Sequence, residues 1–60
     1  MFTTEEKLAA IKREIRFRRK VYPRLIDKHR ITQQFADQQL RIFEAIAQDL
    51  RELAAADRLL

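Results

Sequence analysis

Apolar residues in this chain recur in steps of three and four, in two runs separated by a polar gap near residue 30. In the first run Leu8, Ile11, Ile15, Tyr22 and Ile26 share one stripe at about 100° per residue, the period of an amphipathic helix. Arg18 breaks the spacing at the edge of that stripe, and Glu14 precedes it by one turn, the favourable order for a helical ion pair. In the second run Ala36, Leu40, Phe43, Ala47, Leu50 and Ala54 alternate by four and three. Phe35, Ile42, Ile46 and Leu53 widen it along one flank, so the apolar arc spans about 160°, where ~100° serves packing on one partner helix. Ala10, Phe17 and Val21 form a similar surplus off the main stripe of the first run.

Local signals place the ends. Thr3 followed by Glu6 makes a capping box, with Glu5 and Glu6 at the positive end of the helix dipole. Pro23 lacks an N–H and disfavours helical geometry at Tyr22, so either a second short helix starts there or, as the favoured reading, the helix bends and continues to about Lys28. Lys28, His29 and Arg30 are cations placed to complement a helix C-terminus. Ile31-Thr32 reads as a hydrophobic residue followed by an N-cap, which opens a second helix at Gln33. That helix runs to about residue 56, with the last residues frayed.

Two long helices, about 3–28 and 33–56, joined by so short a connection should lie antiparallel. The predicted fold is therefore all-α: one helical hairpin over residues 1–60, its first helix bent near Pro23. A single hairpin leaves much of both wide faces uncovered. Pairing of two hairpins into a four-helix bundle would cover them, with Phe17, Val21, Phe43, Ile46, Leu50 and Leu53 at the interface. The expected state is a homo-oligomer, a dimer first.

Composition narrows the function. The sixty residues include no glycine, no cysteine, one proline and one histidine, and are rich in strong helix formers. Hairpin turns of a sheet need positive-φ residues that this chain lacks. Without cysteine there is neither a disulfide nor a thiolate zinc site to reinforce so small a core, which leaves helix packing and association. No serine or cysteine nucleophile accompanies His29, and Asp37, Glu44, Asp49, Glu52 and Asp57 scatter over the polar side of the second helix. Asp37 and Arg41 read as an ordinary pair one turn apart, and Tyr22 as a core ring whose hydroxyl reaches water or backbone. No enzyme, cofactor, metal or small-molecule substrate is expected. No apolar run approaches the ~20 residues of a membrane span, and Met1-Phe2-Thr3 opens without a signal-peptide core, so the expected location is cytoplasmic.

The net charge of +4 is unevenly placed: ten Lys/Arg against four Asp/Glu in residues 1–30, three against five in residues 31–60. Lys12, Arg13, Arg16, Arg19, Lys20 and Arg24 fall within one arc of about 140°, from which Arg18 is excluded. Such a face can track a phosphate backbone, although no base-reading motif accompanies it. Its commoner role is a solvated side, or pairing with the acids of a neighbouring hairpin or an acidic protein. A membrane-surface helix would need Ile11, Ile15 and Phe17 as anchors, and the core competes for them.

The segment from Phe17 to about Leu50 resembles a group of short uncharacterised bacteriophage and prophage proteins. It does so through Phe17-Arg18-Arg19-Lys20-Val21-Tyr22-Pro23-Arg24, Arg30-Ile31-Thr32-Gln33, Ala36-Asp37 and Phe43-Glu44-Ala45-Ile46. His29 stands where that pattern has glycine. The resemblance implies a bacterial or phage source and carries no activity with it. Two functions remain in view: a structural or regulatory module acting through self-association, or a nucleic-acid-binding accessory protein using the basic face.

Overall fold

In the structure, a computed structural model that describes residues 1–59, the chain forms α1 (Thr4–Asp27) and α2 (Gln33–Leu59). Leu60, the final residue of the expected domain, lies outside the described residues. The second helix runs three residues past its expected end, to Leu59, and Arg58 in its last turn complements the dipole.

The N-terminal cap forms as the sequence predicts. Thr3 is extended (φ −75°, ψ 161°), its Oγ1 accepts from the Glu6 N–H at 3.0 Å, and Glu6 Oε1 accepts from the Thr3 N–H at 3.1 Å. Both contacts satisfy amides that a helix start leaves open. Pro23 lies inside α1, which continues through it for another turn. Because Pro23 has no N–H, the carbonyl of Arg19, four residues back, receives no helical bond from it.

The turn is built from two interlocked caps. His29 N–H donates to the Ile26 carbonyl at 3.0 Å, and Arg30 N–H to the Leu25 carbonyl at 2.9 Å. This is the Schellman arrangement, and it requires a left-handed residue, which His29 supplies at φ 57°. Two residues later Thr32 Oγ1 accepts from the Phe35 N–H at 3.0 Å and starts α2.

The helices pack along their length. Ile15 and Tyr22 of α1 and Ala36, Ala47 and Ala54 of α2 are buried, while Leu8, Ile11, Leu40, Phe43 and Leu50 are half-buried. Alanines at the centre of the α2 seam let the two backbones approach closely. The result is a rod of 48 × 17 × 16 Å with a radius of gyration of 14.1 Å. A compact domain of this length would have a radius near ~10 Å.

Candidate interaction surface

The hairpin has two long sides, and two contacts identify them. On one side the Arg18 guanidinium lies 4.4 Å from the centroid of the Phe43 ring. It also donates to Glu14 Oε1 and to the Tyr22 hydroxyl, each at 2.7 Å. Tyr22 thus finds a side-chain partner rather than the water or backbone expected of it. The bond to Tyr22, and after it that to Glu14, holds the Arg18 pKa above the ordinary guanidinium value. On the other side Arg19 pairs with Glu44.

The Arg18 side carries the surplus apolar residues, for a geometric reason. Each residue immediately before an α2 seam position lies about 100° round the helix from it. Those residues are Phe35, Gln39, Ile42, Ile46, Asp49 and Leu53. In α1 the residues preceding Ile11, Ile15, Arg18, Tyr22 and Leu25 are Ala10, Glu14, Phe17, Val21 and Arg24. Because the two helices run in opposite directions and face each other, these displacements carry both sets to the same long side.

There Phe17 is 58%, Phe35 46%, Ile42 46%, Ile46 41% and Leu53 50% exposed. Of the six residues expected at an interface, Phe17, Ile46 and Leu53 are exposed here, whereas Val21, Phe43 and Leu50 are half-buried. Phe43 already has Arg18 over its ring. Phe35 and Ile42 belong with the exposed group, and their place one residue before the seam was the signal for it.

On the opposite side Lys12, Arg13, Arg16 and Lys20 are exposed and, among the described residues, make no ion pair, whereas Arg24, also without an ion pair, stands two turns on from Phe17 at the edge of the apolar side. Arg19 differs from them through Glu44 of its own chain. Arg51 of α2 joins Lys12, Arg16 and Arg19 around one shallow groove, a member that reading α1 alone does not find. Asp37 accepts from Gln33 Nε2 at 2.9 Å and does not pair with Arg41 among the described residues, contrary to the spacing.

Near the turn an open groove of about 220 Å³ lies between Tyr22, Pro23, Ala36 and Leu40. Among the described residues no three His, Cys, Asp or Glu converge on a point, and no helix is long and apolar enough to cross a membrane. Comparison with family models, curated proteins and solved structures finds no match to this chain.

Proposed function

We propose that this chain is a small helical interaction module, structural or regulatory, that works by self-association. Two hairpins pair into a four-helix bundle, with α1 bending at Pro23. The observation that carries this reading is the row Phe35, Ile42, Ile46 and Leu53, all at least 41% exposed on the side that also bears Phe17. Large apolar residues set contiguously on one side mark a surface that meets another protein. Exposed area supports it. The chain leaves 5112 Å² accessible, about 1,000 Å² more than the ~4,100 Å² expected of a folded monomer of its mass. A standard interface buries about 800 Å² from each partner, close to that excess. The resemblance of residues 17–50 to short phage and prophage proteins supports a bacterial or prophage cytoplasm as the setting.

Sedimentation equilibrium tests the reading. The wild type should be dimeric at high micromolar concentration, and a variant carrying both Ile46→Glu and Leu53→Glu should be a helical monomer. A well-folded wild-type monomer at that concentration would overturn it.

A second reading is favoured by Lys12, Arg13, Arg16 and Lys20 of α1, which have no ion-pair partner among the described residues and to which Arg51 is added across the groove. That face suits a phosphate backbone and lies opposite the apolar side. Binding of nucleic acid and self-association are therefore compatible.

A further inference from the structure

The exposed side is self-complementary, and we infer from this that the partner is a second copy related by a two-fold axis perpendicular to the helices. In this dimer α2 packs antiparallel on α2 and α1 antiparallel on α1. The inference rests on the self-association reading and adds its geometry.

The pattern on α2 is symmetric about Glu44. Phe35 and Leu53 are equidistant from it, as are Gln39 and Asp49, and Ile42 and Ile46. When a second α2 is laid antiparallel across it, every apolar residue meets an apolar residue. Gln39 then meets the second copy's Asp49, an amide donor opposite a carboxylate acceptor. On α1 the four residues from Glu14 to Arg24 on this side are symmetric about Arg19 at the two inner spacings, while Ala10 has no counterpart within the helix. Phe17 mirrors Val21, and Glu14 mirrors Arg24, so the antiparallel match sets a carboxylate against a guanidinium.

The two centres are at the same height on the hairpin, because Arg19 and Glu44 are the residues that pair across it. One axis therefore serves both helices. Glu14 engages Arg18 through Oε1, and its second oxygen remains for the other copy's Arg24.

The alternatives fail on charge. Parallel, in-register pairing stacks Asp49 on Asp49, Glu14 on Glu14 and Arg24 on Arg24. Packing α2 on the other copy's α1 at matched height places Asp49 against Glu14. Like charges facing each other in an interface are strongly unfavourable, whereas an isologous two-fold contact uses each seam once in each direction.

Spin labels distinguish these arrangements. The chain has no cysteine, so single cysteines can be introduced at the exposed positions Gln34, Ala45 and Ala55. With a rise of 1.5 Å per residue, the perpendicular axis separates the two copies by about 30 Å at position 34 and about 33 Å at position 55, but by roughly one interhelical spacing at position 45. An axis along the helices gives short distances at all three. Pulsed dipolar spectra showing two long distances and one short one support the inference.

Three short distances would overturn it while leaving self-association standing. A dimer-free sample without dipolar coupling would overturn both. Gln39 supplies a second readout. Gln39→Glu should weaken dimerisation on the order of tenfold by facing Asp49, and Gln39→Lys should preserve or tighten it. Loss of the dimer with Gln39→Lys would count against the antiparallel register.

Discussion

At the residue scale Arg18 shows how a cation can occupy the edge of an apolar seam. Its guanidinium lies over the Phe43 ring and bonds Tyr22 and Glu14, so the half-buried charge is matched on every side that the seam offers. Lysine cannot reproduce a planar group that stacks and donates in two directions at once. Arg18→Ala should cost about 1–3 kcal/mol in urea denaturation, and Arg18→Lys should recover less than half of that loss. Full recovery by lysine would show that only the charge matters. His29 makes the opposite case, a residue poorly suited to its backbone. Its left-handed φ of 57° costs about 1–2 kcal/mol that glycine avoids, while glycine adds about 0.4–1 kcal/mol of unfolded-chain entropy. His29→Gly should therefore stabilise by about 0.5–1 kcal/mol and raise the melting temperature by a few degrees. Destabilisation would mean that the imidazole makes a contact worth more than the strain.

At the scale of the helix, the ends and the seam respond to different variables. The Thr3 backbone and side-chain hydrogen bonds hold the Glu6 carboxyl below its ordinary value. A carboxylate depressed in the folded state stabilises above its unfolded pKa, and that contribution is lost as pH falls through the folded value. NMR titration should show Glu6 protonating at lower pH than in Thr3→Ala, which keeps the backbone bond and loses that of the hydroxyl, and identical midpoints would assign the whole shift to the backbone N–H. The seam depends instead on size. Ala47 is only 1% exposed between the helices, so Ala47→Leu should overpack the contact and cost about 1–3 kcal/mol by thermal or urea unfolding.

Both helices, both caps at Thr3 and Thr32 and the Glu14–Arg18 pair were legible in the sequence, because each follows from spacing within one helix. The contacts of Arg18 with Phe43, Arg19 with Glu44 and Arg51 with the basic groove were not. They depend on which residues stand level once the hairpin closes, and periodicity within either helix does not contain that alignment. The exposed pair Phe35 and Ile42 lay between these cases. Their flank was visible in the sequence, but how much of them α1 would leave uncovered was not.

At the scale of the whole molecule, the separation of an apolar side from a basic side allows each to be perturbed alone. Lys12, Arg13, Arg16, Lys20 and Arg24 lack ion-pair partners among the described residues, whereas Arg19 is partly neutralised by Glu44. If Lys12, Arg13, Arg16 and Lys20 each neutralise one duplex phosphate, log affinity should fall against log salt with a slope of about −3.6 for one hairpin. Changing Arg16 and Lys20 together to glutamate should reduce binding to all sequences about equally, since phosphate contacts carry no sequence information. The same change should leave the dimer intact in sedimentation, because both side chains are exposed and away from the Phe35–Leu53 row. Conversely, Ile46→Glu with Leu53→Glu should abolish the dimer and leave nucleic-acid binding by each hairpin largely intact, because the basic faces of the dimer point outward in opposite directions and engage a duplex one at a time. Wild-type protein that fails to bind duplex or single-stranded DNA at low ionic strength would instead assign these cations to the solvated side of the bundle. Their charge would then act to keep two-fold dimers from associating further, and the apolar side would carry the function alone.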